Sequence, residues 1–291
     1  MTVRARPGPI LPLVLSMVSL CVGTSYAKTL FSVAGAAGVT ALRIGISALL
    51  LVGLQRPWRW EVTPVQARAV IAYGLVLACM NLAFYQSLRT LPLGIAIAIE
   101  FLGPLGVAVG YSRRAVDLLW VALAAGGIAL LVAPGAAGGV DASGAVFALV
   151  AALCWALYIL TGKHASAVVP ERWIVCLGLC AASVIAVPIG LGAAGAVILA
   201  PKVLAAGALI AVLCSALPYS LEMFALKRLP TGVFGVVLSL EPAIGAAAAF
   251  LLIRETLGPS AWAGMAAVMA ASAGSALTAS PPASSATEAA N

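Results

Sequence analysis

Charge is scarce in this chain. Only 9% of its 291 residues are Asp, Glu, Lys or Arg, against about 25% in an ordinary soluble domain. A water-facing surface cannot be assembled from so few charges. Histidine is almost missing: His164 stands alone, beside Lys163 in what reads as a short loop. There is no cluster of ligands for a metal, no nucleophile with a base at a recognisable spacing and no phosphate-binding loop. The pattern argues against an enzyme and against a nucleotide-driven machine, and it implies no cofactor. The net charge of +7 is not gathered into a basic stripe, which argues against nucleic acid as a partner. The six cysteines (Cys21, Cys79, Cys154, Cys176, Cys180 and Cys214) all fall inside apolar runs. They read as small core residues, not as a disulfide framework. Cys176 and Cys180 share a helix face but have no His or Asp beside them to complete a metal site.

What the chain has in abundance is apolar sequence. Hydrophobic residues make up 63%, and lipid is the solvent that accepts them. A helix needs roughly 20 apolar residues to cross a bilayer. Ten segments qualify, near 9–27, 34–54, 69–88, 92–111, 116–133, 143–162, 173–193, 203–224, 231–252 and 258–279. The expected fold class is therefore an all-α integral membrane protein with ten transmembrane helices. The connections are short and rich in turn formers, such as Arg56-Pro57-Trp58-Arg59 and Pro134-Gly135. The tail, 280–291, has a composition typical of disorder. Arg4 and Arg6 followed by Ser25-Tyr26-Ala27 also fit a cleaved signal peptide. A retained first helix is preferred, because the apolar run from Ile10 is long and the helix count needs it.

Basic residues set the expected orientation. With the N-terminus inside, the cytoplasmic side holds Arg4, Arg6, Arg56, Arg59, Arg68, Arg113, Arg114, Lys163, Arg172, Lys227 and Arg228, and the opposite side only Lys28, Arg89, Lys202 and Arg254. That asymmetry places both termini in the cytoplasm of a bacterial cell, with the chain in its inner membrane. A repeat runs beneath the pattern. Leu91-Pro92-Leu93-Gly94 returns as Leu229-Pro230-Thr231-Gly232, and in the same register Ala78 meets Ala216, Leu88 meets Leu226, and Pro104 meets Pro242. Ten helices then divide into two five-helix units, 9–133 and 143–279. Five is odd, so the second unit enters from the opposite side, an inverted repeat that puts a substrate site near the midplane.

Several stretches carry a family resemblance. They are Ser25 through Phe31, Gly38 through Arg43, Leu91 through Leu105 (LPLGIAIAIEFLGPL), Ser112-Arg113-Arg114, Cys154 through Leu160, and Ala216 through Pro242 (ALPYSLEMFALKRLPTGVFGVVLSLEP). On these segments the sequence resembles the drug/metabolite transporter superfamily, in its EamA-type ten-helix branch. Within that branch it is most similar to the bacterial threonine and homoserine exporters. The resemblance spans nearly all of the chain except the tail. It implies export of small amino acids through a central cavity between the two repeats. The family commonly has Gly-Glu after the ninth helix, where this chain has Arg254-Glu255, a departure expected to lie in an exposed turn.

Polar groups in lipid are costly, so each needs a reason. Glu100 in the fourth helix and Glu241 in the ninth are candidates to bind an ammonium group or to load and release a proton; a bond to a neighbouring helix is the structural alternative. Arg43, the one Arg or Lys well inside a helix, is a candidate for a substrate carboxylate through its planar fork. Snorkelling to the interface or pairing with a buried Glu is its alternative. Asn81, Tyr85, Tyr158 and Tyr219 can offer further hydrogen bonds, to substrate or between helices. Glu222, near Lys227 and Arg228 at the cytoplasmic end, reads as half of a structural ion pair or as a snorkelling side chain. Pro104, Pro218 and Pro242 break helices and free the carbonyls of Glu100, Cys214 and Leu238. In lipid those oxygens must find protein, water or ligand. Lys28, Trp58, Trp60 and Trp173 read as interface anchors, and the spacing of Gly106 and Gly110 permits close helix contact.

The expected function is gradient-driven export of a small neutral amino acid, with protons as the coupling partner and lipid as the surroundings. Export of other small metabolites or drugs is the nearest alternative. A lipid scramblase or a membrane scaffold is the alternative outside transport.

Overall fold

The computed structural model describes Gly8 and residues 10–59, 61–111, 114–132, 141–226 and 228–278. Arg4, Arg6, Trp60, Ser112, Arg113, the Pro134-Gly135 connection, Lys227 and the tail lie outside these residues. Among the described residues all regular structure is helical. The helices are α1 (Ile10–Thr29), α2 (Phe31–Gln55), α3 (Pro64–Ser87), α4 (Leu93–Glu100), α5 (Leu102–Tyr111), α6 (Ala115–Val132), α7 (Ala142–Val168), α8 (Glu171–Ala194), α9 (Pro201–Ala211), α10 (Leu217–Leu226), α11 (Thr231–Leu238), α12 (Glu241–Ile253) and α13 (Pro259–Thr278).

Three of the ten segments are broken, so that α4 runs into α5, α9 into α10 and α11 into α12. Among the described residues, eight spans are long and apolar enough to cross a bilayer. Val116–Leu131 and Pro201–Ala216 are apolar but shorter, about 24 Å each at 1.5 Å per residue, against a hydrocarbon core of about 30 Å. The second of these is carried onward by α10. α7 runs longer than its apolar pattern. It begins at a cap in which the Asp141 carboxylate accepts from the Ser143 hydroxyl and from its N–H at 3.2 Å, which holds that acid below the usual carboxylate range. It continues to Val168. Lys163 and His164 therefore sit on exposed helix rather than in a loop, because an α-helix does not stop where its apolar residues do.

The breaks obey the repeat. α4 and α11 are eight residues each. Each starts after a proline in the same conformation, Pro92 at φ −58° and ψ 144° and Pro230 at φ −57° and ψ 141°. α4 ends at Glu100 and α11 at Leu238, the residues whose carbonyls Pro104 and Pro242 leave without an N–H. Packing repeats the symmetry. If each segment is matched to the one five places on, α3 against α7 has its mate in α1 against α10, α3 against α8 in α2 against α9, and α1 against α12 in α4 and α5 against α7. The pairs α2–α8, α4–α12 and α6–α13 are their own mates. This is an inverted-repeat bundle in which each half packs chiefly against the other, so the centre of the molecule belongs to both.

Close approach comes at other glycines than expected. Gly106 and Gly110 face open space, whereas a Cβ at Gly103 would run into the Ala152 carbonyl of α7. Trp173 is not an interface anchor: it is 6% exposed and packed in the core with Tyr73 and Ile174. Trp58 is exposed, as an anchor requires. Lys28 is also more than an anchor. Its ammonium pairs with Glu255 and donates to the Leu91 carbonyl at 2.9 Å, while Glu255 accepts from the Leu93 N–H at 2.8 Å. The end of α1, the start of α4 and the turn after α12 are thus tied together on the face opposite the N-terminus. Glu255 is half-buried, not exposed, because it satisfies the first orphan N–H of a helix that starts inside the bundle.

Candidate functional site

One cavity of about 140 Å³ lies between the halves. α1 lines it with Leu20, Cys21 and Thr24, α2 with Arg43, α3 with Met80, Asn81 and Phe84, and α4 with Ile97 and Glu100. From the other half come Trp155 and Tyr158 of α7, Cys214, Pro218 and Glu222 around the start of α10, Leu238 of α11 and Glu241 of α12. The two carboxylates stand at the helix breaks, Glu100 as the last residue of α4 and Glu241 as the first of α12. A break exposes backbone polar groups, so a polar chamber forms where the two broken segments cross.

Arg43 is the basic member of this lining. It is 7% exposed and does not snorkel outward. Its guanidinium donates to the Cys214 carbonyl at 3.0 Å and to the Tyr85 hydroxyl at 3.4 Å, and its carbon lies 5.5 Å from the centre of the Tyr85 ring. The Cys214 carbonyl is the one that Pro218 cannot satisfy. The chain answers that loss with a wide turn over Val212–Ala216, closed by Leu217 N–H on the Val212 carbonyl, a π-type bulge of the kind that often marks functional positions. The proline, the bulge and the arginine form one unit: the first frees an oxygen, the second aims it, the third binds it.

Of the residues singled out from sequence, Arg43, Asn81, Glu100, Tyr158, Pro218 and Glu241 meet around the cavity. Tyr85 does not line it. It is fully buried behind the wall, holding Arg43. Asn81 spends its amide N–H on the Leu77 carbonyl of its own helix at 2.8 Å, and the Tyr158 hydroxyl accepts from Tyr73 at 2.8 Å. Tyr219 lies in α10, with its side chain outside the described residues. Pro104 and Pro242 shape the breaks without lining the cavity.

Glu222 is the third carboxylate of the lining. It faces the cavity, and no ion pair to it forms among the described residues. Of its two expected partners, Lys227 lies outside the described residues, and Arg228 lays its guanidinium 3.6 Å from the centre of the Phe224 ring and donates to the Phe224 carbonyl. Cys21, Thr24, Trp155 and Cys214 were also missed as lining. Their signal was faint, since small or aromatic residues in an apolar run look like packing.

A bundle of ten helical segments in two inverted halves around a small polar chamber is the architecture of a membrane carrier. Residues 142–277 match the EamA-like transporter family. The chain is 46% identical over 271 residues to the threonine/homoserine exporter RhtA of Salmonella typhimurium strain SL1344, covering 93% of this chain and 92% of that one. It is 45% identical, over the same shares, to RhtA of Escherichia coli K12. A crystal structure of a protein with 17% identity matches with a TM-score of 0.63 over 94% of this chain and 98% of its own, which speaks to the fold alone. The chain belongs to the EamA-like transporter family, and within it to the branch of the threonine/homoserine exporters. It is a bacterial multi-pass inner-membrane transporter, not an enzyme.

Proposed function

We propose that the chain is a secondary transporter that moves small neutral amino acids of the threonine and homoserine type out of the cell in exchange for protons. The observation that carries this reading is the common cavity of Arg43, Glu100 and Glu241. A neutral amino acid is a zwitterion, and leaving either of its charges unanswered in a dry site costs several kcal/mol. Arg43 answers the carboxylate, and Glu100 or Glu241 answers the ammonium. A volume of about 140 Å³ equals the share of about five liquid waters. That suits a small amino acid better than a drug, whose pockets start near ~300 Å³.

The units 9–133 and 143–279 rock about the cavity, with both termini in the cytoplasm. A proton taken up by a central Glu on the outside removes the charge that holds the ammonium, and the substrate leaves. The proton departs on the cytoplasmic side and restores the carboxylate. The test is uptake into proteoliposomes under an imposed pH gradient with a panel of labelled amino acids. Threonine or homoserine uptake that follows the gradient supports the reading. Movement of bulky or aromatic compounds alone leaves only the family and removes the substrate.

A further inference from the structure

We propose that Glu222 is the proton exit of the carrier, receiving the proton from Glu241 and passing it to water on the N-terminal face; this rests on the proton-coupled reading above. The placement is the first ground. Glu222 shares the cavity with Glu100 and Glu241. It stands on α10 four residues before that helix ends at Leu226, whereas the other two stand at breaks in the middle of their segments. The acids therefore form a file from the centre of the bundle toward one face. All three carboxyl groups line one chamber, so a proton added to one member is felt by the others.

The second ground is what surrounds Glu222. The titratable and charged groups around this cavity are Cys21 of α1, Arg43 of α2, Glu100 of α4, Tyr158 of α7, Cys214 of the bulge and Glu241 of α12. Arg43, the one cation in this set, is bonded to Cys214 and Tyr85. Arg228, on the chain just beyond α10, is stacked on Phe224. Among the described residues, which do not include Lys227, no cation pairs with Glu222. A carboxyl group inside a membrane bundle is costly to hold, and one that faces the chamber is placed to carry protons. In the step itself an O–H bond of the Glu241 carboxyl breaks and one on the Glu222 carboxylate forms. The net charge of the pair is unchanged, and the proton then leaves to bulk water.

A release group is needed for net transport but not for exchange of substrate against substrate, in which the carrier returns loaded with substrate and no proton has to leave on the cytoplasmic side. The purified full chain is reconstituted, and two rates are read with labelled threonine: efflux driven by a pH gradient, and exchange at equal pH. Glu222→Gln is expected to slow net efflux on the order of a hundredfold, the lower end of what a positioned proton-transfer group contributes, with exchange within about twofold of wild type. Equal loss in both modes, or no change in either, overturns the assignment. Should Glu222→Gln fail to insert, Glu222→Asp decides in the same two assays: a loss confined to net efflux supports the exit role, and parallel loss or none overturns it. Wild-type efflux that ignores the pH gradient sinks the proton-coupled reading itself. A wild type that follows the gradient while Glu222→Gln matches it in both modes sinks only the role of Glu222.

Discussion

The bond between Arg43 and the Cys214 carbonyl can be tested apart from transport, by a double-mutant cycle with Pro218. Arg43→Met removes the donor and leaves a buried oxygen that the helix cannot satisfy. Pro218→Ala returns an N–H four residues after Cys214, so that the carbonyl has a partner whether or not Arg43 is present. In water-soluble proteins a lost bond to a charged donor costs about 1.5–3 kcal/mol. Within membranes the cost is smaller, averaging about 0.6 kcal/mol with a maximum of about 1.7, because the unfolded chain in lipid also finds partners. The 3.0 Å length and full burial of this bond put it in the upper half of that range. Arg43→Met should destabilise the empty carrier by about 1–1.7 kcal/mol in the wild-type background, and by about 1 kcal/mol less in the Pro218→Ala background. The measurement is SDS-induced unfolding in detergent micelles, followed by circular dichroism without substrate. If the two changes add to within about 0.5 kcal/mol, the size of ordinary non-additivity, the carbonyl is not what Arg43 is satisfying and the unit of proline, bulge and arginine is wrong.

Four other outcomes follow from the same geometry. At least one of Glu100→Gln and Glu241→Gln should lose the pH-gradient dependence of efflux while still inserting; wild-type behaviour in both makes them structural. Arg254 holds φ 57°, a left-handed conformation that costs a side-chain-bearing residue about 1–2 kcal/mol, so Arg254→Gly should raise thermal stability in detergent by about 0.5–1 kcal/mol after the entropy of glycine is counted. Lys28→Met should lower it by about 1 kcal/mol, since the Glu255 pair is only partly screened at 14% and 20% exposure, and an unchanged melting temperature would show the tie to be idle. A reporter fused after Asn291 should behave as cytoplasmic, and a periplasmic signal would reverse the basic-residue argument.

Much of this molecule was readable before any coordinates. Lipid admits only backbones that bond internally, so long apolar runs had to be helices, and basic residues between them could count the crossings. The repeat was legible for the same reason that it exists. Pro92, Pro104, Pro230 and Pro242 act on their own helices, and a local constraint is written locally. The short helices α4 and α11, ending at Glu100 and Leu238, follow from those prolines alone. The tertiary structure decided everything that depends on which helix faces which. That Arg43 answers the oxygen freed by Pro218, although 175 positions separate them, depends on α2 packing on α9 and the bulge that follows. Nothing in either stretch alone names the other. That Tyr85 supports the site from behind, that Glu255 caps α4, and that Glu222 faces the chamber while Arg228 turns away are likewise facts of packing. A side chain's polarity is a property of its residue, but its partner is a property of the fold.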